Sequence, residues 1–513
     1  MEGSFDLTKV ESVKIFPALG IMRAGNHPDA YFIGPEKPYD YAPPEGGYKK
    51  DGKIKRQAAR FRLYAYDKDN KLLGEILDEV AEITWEVHLA NKKAAWHMFK
   101  DLEVDTPLRN AGIIGDENRK KLVIDPGVRK VTGGNKKAVF DGGNYTEWSG
   151  GSSVTGTPKT VENIYLGEMK TDILGRLTVL GGHGIAASPY NTPLDKDTFF
   201  NNDGWYDDVS DGPVNAKVKF RLTGKTHDAS GAWVICTPPK YAPSIRSVIS
   251  LYNTLHQTMV DRGVSPEPTQ NPSFKYDIYP ILASTVDVKW LQKVGKAHDF
   301  IENIDPADKK TAEIIFNSLR KPGSPAVPRE LYDYKMPKLY NDEWKWGATL
   351  TPIQYRYMEL WKNGQFLNDW GGVPPEPVDE TTPNGLNFAT LDNCDGAPMD
   401  VGIEASWYLR SNYKDLYNYI DPFRLDHSTL EAGDCSKQMS IPWHSDFYEC
   451  TEYWWPMERP TTVYATDGGE ALRWDRDYVS SKTEMVTDWY KLGYILKEGN
   501  AYLERERNAP EKQ

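Results

Sequence analysis

The chain has 513 residues, enough to bury a large core, and its 39% hydrophobic and 27% charged content is that of a globular protein. A net charge of −12 argues against a nucleic-acid surface, which needs clustered Lys and Arg. Four cysteines with no Cys-x-x-Cys pair argue against zinc ribbons, thioredoxin-type sites and a disulfide framework. No run of about eighteen apolar residues is present for a transmembrane helix.

The first 244 residues read as strands and loops. "SVKIFPALGIMRAG" (12–25) and "RFRLYAYDKDNKLLGEIL" (60–77) alternate between turn residues, and the basic "KKDGKIKRQAARFR" (49–62) reads as strand or hairpin edges. "AEITWEVHLANKKAAWHMF" (81–99) starts as a strand and turns helical near its end, and "KVKFRLTGKTHDASGAWVICTPPKYAP" (217–243) reads as two strands around a polar turn. Helical spacing follows: Ile245, Val248, Ile249, Tyr252, Leu255 and Met259 form one apolar face. Three further helices are predicted, within 306–323, within 351–366 behind a Thr-Pro start, and within 481–499 between Ser-x-x-Glu and a glycine stop. Residues 368–387 read as an ordered loop, and 433–478 shows neither period. The fold class expected is α+β: a β-rich antiparallel part, 1–244, and a mixed helical, loop-rich part, 245–513, that carries the candidate site.

The N-terminus shows no basic region followed by an apolar run, so no signal peptide is expected and the compartment stays undetermined. "GGHG" (181–184) lacks the spacing of a phosphate-binding loop and reads as a turn between strands. "NDGWYDDVSDGP" (202–213), with Asp203, Asp207, Asp208 and Asp211, lacks the twelfth-position Glu of a calcium loop and reads as a tight acidic turn. His444-Ser445-Asp446 has the His-x-Asp pattern of iron oxygenases, but no histidine follows it to complete a triad, so no metal is assigned.

The densest chemistry lies in "GDCSKQMSIPWHSDFYECTEYWWPMERP" (433–460). It places Cys435 and Cys450 near Trp454 and Trp455, with Asp434 able to take a proton. A thiol does no redox chemistry on amines by itself. A tryptophan oxidised to an ortho-quinone does, because its carbonyl is electrophilic, and a cysteine thioether would fix such a ring. Buried packing is the plain alternative for these cysteines.

Several segments resemble, in order, those of the cysteine tryptophylquinone oxidases typified by L-lysine ε-oxidase and glycine oxidase. They include "VKIFPALGIMRAGNHPDAYFIGPE" (13–36), "ITWEVHLANKKAAW" (83–96), "LGEMKTDILGRLTVLGGHG" (166–184), "NDGWYDDVSDGPV" (202–214), "LTPIQYRYMELWKNGQF" (350–366) and "MSIPWHSDFYEC…WWPMERP" (439–460). The resemblance implies oxidation of a primary amine or amino acid by O2, with a carbonyl product, ammonia and hydrogen peroxide. It implies a protein-derived cysteine tryptophylquinone, a flavoprotein maturation partner and possible homo-oligomers. Asp434 matches the family's cofactor-forming aspartate and stands with His444 as a catalytic candidate. Cys435 or Cys450 with Trp454 or Trp455 are the cofactor candidates. One position departs: the family's crosslinking cysteine immediately precedes the Met of Met-x-x-Pro-Trp, and here that position is Gln438. A second reading follows, a family-shaped protein without the quinone, either a different amino-acid-modifying enzyme or a non-catalytic binding protein.

Overall fold

The computed structural model describes residues 5–96, 109–147, 157–198, 200–292, 304–323, 336, 349–378, 381–396, 409, 416–418, 420–449 and 456–510. Its fold is α+β, as expected. Thirteen strands form the main sheet, whose path runs Lys137–Phe140, Gly167–Thr171, Leu177–Leu180, Arg56–Tyr66, Leu19–Arg23, Ala232–Thr237, Asp211–Phe220, Ala81–Val87, Arg129–Thr132. Most pairs are antiparallel. Ala232–Thr237 runs parallel to Leu19–Arg23, and Tyr31–Ile33 runs parallel to Arg56–Tyr66. The ends of the path meet, since Arg129 Nε donates to the Val139 carbonyl at 2.8 Å, so the sheet is nearly closed.

The central strands are buried on both faces. Ala232, Val234 and Cys236 join the main core with Met22, Phe61, Val179 and Trp443. Trp233 and Ile235 point the other way and join Leu19, Ile21, Leu251, Leu255, Met259 and Cys435. One strand therefore separates two apolar clusters, by the period-2 alternation of its side chains. Within 49–62, Lys49–Lys50 and Lys53–Ile54 form a hairpin as expected, but Arg56–Tyr66 is not an edge: it pairs with five other strands, and its Arg56 and Arg62 are buried against carboxylates.

Caps decide the helices. Thr351 accepts from the Gln354 amide in a capping box and Pro352 takes the first position of Pro352–Lys362. Asp308 caps Lys309–Ser318, within the predicted stretch. The helix predicted from Ile245 starts only at Leu251, because Ser250 forms a capping box with Asn253. Ile245, Val248 and Ile249 are buried ahead of it. The helix predicted over 481–499 ends early. Lys482–Asp488 is helical behind the Ser481 cap, but Tyr494–Glu498 pairs as a strand with Ala501–Arg505 around Gly499, whose φ is 61°. A hairpin partner close in sequence overrides local helix preference here. Two more expectations change: helix Pro383–Asp392 starts inside the predicted 368–387 loop, and 433–478 contains helix Trp443–Glu449. Three strands, not two, occupy 211–237, and among the described residues no helix is long and apolar enough to cross a membrane.

Candidate active site

Segment 433–449 is held by three buried ionic side chains from the first half of the chain. The first is Asp211, at the start of strand Asp211–Phe220. Its carboxylate accepts from the Trp233 indole N–H at 2.8 Å, the Cys435 amide at 3.1 Å, and the Ser436 amide and hydroxyl at 2.8 and 2.5 Å. Burial raises the Asp211 pKa, opposed by these donors. The second is Arg109. Its guanidinium donates to the carbonyls of Lys93 (3.1 Å), Phe200 (2.9 Å) and Met439 (2.6 Å), fixing the backbone just after Gln438. The third is Asp207. It pairs with the wholly buried Lys93 ammonium and accepts from the Trp443 amide at 3.2 Å. Desolvation pulls the Lys93 pKa down, and Asp207 opposes it.

The Ile441–Pro442 peptide is cis, and helix Trp443–Glu449 begins directly after it. The His444 ring lies 3.6 Å from the Trp443 ring and edge-on to Trp489 at 5.9 Å. The Gly181–Gly184 turn packs against this group. A Cβ at Gly184, whose φ is 73°, would stand 2.4 Å from the Trp489 ring, and one at Gly182 would stand 2.4 Å from the Asp208 carboxyl. Both positions need glycine for close approach. Asp208 Oδ2 accepts from the His183 amide at 2.6 Å.

Three buried polar groups here lack a hydrogen-bond partner among the described residues: Trp443 Nε1, both His444 ring nitrogens, and Asp208 Oδ1. Native interiors pair nearly all such groups, so each of these atoms is open to a bound water or ligand. The His444 pKa is held well below 6.5, first by burial and then by Lys93, while the nearby Gly184 backbone opposes this without meeting hydrogen-bond geometry. Burial raises Asp208 from 3.8 to about 7, helped by the neighbouring Asp207 charge and opposed by backbone amides. That value suits a proton acceptor working near neutrality.

The raised Asp208 pKa makes a stability prediction. The folded state holds this proton more tightly than the unfolded chain. Its contribution is complete below the unfolded value near 3.8 and is lost as pH rises through about 7. Asp208→Asn should therefore gain stability relative to the parent, by up to about 1.4 kcal/mol per pH unit, as pH goes from about 4 to 7. Denaturant midpoints measured across this range check it; parallel curves for parent and variant would reject the shift.

The sequence-predicted residues fall in different places. His444 lies within the unpartnered group. Asp434 does not: its carboxylate faces Lys92 at 3.1 Å and Lys437 at 3.2 Å and accepts the Glu431 amide at 2.9 Å. Burial works to raise its pKa, but Lys437, the Glu431 amide and Lys92 hold it lowered, so it is an ionised anchor. Cys435 sits on the Trp233 face of the sheet, its thiol pushed well up by burial and by Asp211. Cys450, Trp454 and Trp455 lie outside the described residues. Sequence reasoning missed Lys93, Arg109, Asp207, Asp208 and Asp211. In the tight acidic turn Asp207, Asp208 and Asp211 are buried and go to three separate partners. The signal was the unusual density of aspartates beside Trp and Gly.

Residues 16–236 match the family described as L-lysine epsilon oxidase N-terminal, and residues 333–467 match the L-lysine epsilon oxidase C-terminal domain. The chain belongs to the L-lysine ε-oxidase family. It is 26% identical to L-lysine 6-oxidase of Marinomonas mediterranea over 535 aligned positions, covering 86% of this chain and 71% of that protein. It is thus homologous to an oxidase enzyme. Two solved structures of the L-Lys ε-oxidase from Marinomonas mediterranea share the fold. The Schiff base intermediate with L-Lys superposes with a TM-score of 0.77, and a second structure with 0.76. Each is 21% identical, over 97% of this chain and 95% of the other.

The family's protein-derived quinone requires a cysteine sulfur against a tryptophan ring. Gln438 offers no sulfur. Cys435 is in a different apolar cluster from Trp443, Trp474 and Trp489. Of the other two described cysteines, Cys236 shares the large core cluster with these tryptophans but packs on Gly181, and Cys394 lies 3.6 Å from the Arg23 guanidinium. The described residues do not fit the family's thioether.

Proposed function

We propose that this chain oxidises the amino group of a small primary amine or amino acid with O2, releasing a carbonyl product, ammonia and hydrogen peroxide. The observation that carries this reading, beside family membership, is the group of unpartnered buried polar atoms on Trp443, His444 and Asp208. In it, Asp208 accepts the proton lost from the carbon bearing nitrogen, and neutral His444 receives or relays it. Asp434, ionised beside two lysines, positions the 433–438 backbone.

A second reading is favoured by Gln438 and the placement of Cys435: a protein that binds such molecules in the family fold without the quinone. One preparation separates the two. The chain is produced with its native flavoprotein partner, offered a panel of amino acids and primary amines, and assayed for peroxide and ammonia. Its peptides across 434–459 are then weighed. Peroxide with a mass gain of about 28 Da (two oxygens gained, four hydrogens lost) means a thioether-linked quinone, and about 30 Da a quinone without the link. No peroxide and an unmodified peptide mass reject the oxidase reading.

A further inference from the structure

Four half-buried aromatic rings lie around a carboxylate that has no counter-ion. Tyr39 comes from the irregular segment ahead of Lys49–Lys50, Tyr252 from helix Leu251–Asp261, Tyr357 from helix Pro352–Lys362 and Phe388 from helix Pro383–Asp392. The Phe388 ring bridges two of the others, 5.2 Å from Tyr39 and 4.7 Å from Tyr252. Tyr39 reaches it from a left-handed φ of 63°. Each ring keeps part of its surface open to solvent.

The carboxylate is Asp277. It sits in a π-helical turn, Phe274–Ile278, closed by the Ile278 amide on the Ser273 carbonyl at 3.2 Å. Such turns are rare and recur at functional sites. Among the described residues Asp277 makes no ion pair, and its carboxylate accepts only the Ser273 amide, at 2.8 Å. Burial raises its pKa, the Ser273 amide opposes this, and the Asp369 charge adds to the rise. Burial also raises the hydroxyls of Tyr39, Tyr252 and Tyr357, and the Asp277 charge adds to each, so all three lie within its electrostatic reach. The nearby cations are turned elsewhere. Arg246 grips Asp392 at 2.8 Å, and Lys275 lies 5.6 Å over the Tyr276 ring and acts on Asp369. His256, stacked 5.6 Å from Tyr252, is held below 6.5 by burial.

We propose that the aromatic group of Tyr39, Tyr252, Tyr357 and Phe388 around Asp277 is a non-catalytic binding site for a small organic ammonium ion of the choline type. A carboxylate drawn partly out of water without a counter-charge is unfavourable, and an incoming cation offsets that cost. Aromatic faces attract the same cation through their negative potential. The single carboxylate offers few acceptors for N–H groups, so a nitrogen wrapped in methyl groups suits the site better than a bare ammonium. None of these residues belongs to the Trp443 group.

Choline has no N–H, so it binds without entering amine oxidation, and the site is tested apart from turnover. Calorimetric titration of the full chain compares choline with 3,3-dimethylbutan-1-ol, its neutral isostere. Choline is expected to bind at least roughly tenfold more tightly. Asp277→Asn, which keeps an oxygen for the Ser273 amide, should weaken choline by about tenfold, and Tyr252→Leu by about fivefold, with any peroxide production unchanged. Equal binding of the two probes, no saturable choline binding, or choline binding that ignores both substitutions would overturn the proposal. Choline binding lost in Asp208→Asn and kept in Asp277→Asn would also overturn it, by assigning that binding to the Trp443 group. Should either variant lose the parent's melting temperature, the comparison of choline with its isostere on the parent chain still decides. Failure of the peroxide assay bears on the oxidase reading alone.

Discussion

Asp207→Ala is expected to destabilise the protein by about 3–5 kcal/mol, because it strands the Lys93 ammonium in the core without its counter-charge. Both side chains are completely buried, and the carboxylate also holds the Trp443 amide and Asn91 Nδ2, the latter at 3.1 Å. The other charged groups acting on Lys93 are Arg109, itself positive, and Asp208, which makes no ion pair with it among the described residues. The penalty should therefore fall with neutralisation of the pair. Lys93→Met combined with Asp207→Leu should recover much of the loss, since well-packed apolar replacements of buried ion pairs are often neutral. Denaturant midpoints of the single and double variants measure this. A loss below about 1 kcal/mol for Asp207→Ala would mean that the pair is hydrated and not shut away from solvent.

Asp211→Ala is the second large effect. Four donors converge on this carboxylate, and each would lose its buried acceptor at once. An unsatisfied buried donor costs about 1–3 kcal/mol, so a total loss of at least about 3 kcal/mol is expected even if the segment relaxes. The more specific consequence is local. Cys435 and Ser436 would come loose from the sheet, so their amides should exchange with solvent much faster and the Cys435 thiol should become open to alkylation in the folded protein. Asp211→Asn keeps an acceptor oxygen and should show a milder version of both. Unchanged exchange at Cys435 and Ser436 in Asp211→Ala would show that the 433–436 segment is held by packing and not by this carboxylate.

Several elements were legible in the sequence because their causes are local. Thr351, Pro352 and Gln354 specify a helix start through hydrogen bonds within four residues, and Ser481 does the same. Strands such as Ser12–Phe16 and Leu72–Ile76 follow from alternation broken by turn residues. The ordered motifs were sufficient to place the chain in its family. The failures have a common form. A helical period continued backwards through Ser250 and forwards into Tyr494–Glu498, because periodicity says nothing about a competing cap or about a hairpin partner.

The candidate site was legible only in part. His444 was picked out by its neighbours in sequence and does lie against Trp443. Asp434 was picked out as a proton acceptor, but Lys92, far away in sequence, helps to make it an ion-pair anchor. The acidic turn gave no sign of its burial, because aspartates are rarely buried unpaired. Lys93 lies 114 positions before its partner Asp207, and Ser436 lies 225 positions after Asp211.

By itself, the sequence determined the α+β class, the family, and the absence of sulfur at position 438, since each rests on residue identity or short-range pattern. Only the tertiary structure decided which carboxylates are buried, which are compensated, and on which side of strand Ala232–Thr237 Cys435 comes to rest. Those outcomes depend on desolvation and on charges brought together across hundreds of residues, and neither is a property of any local stretch of chain.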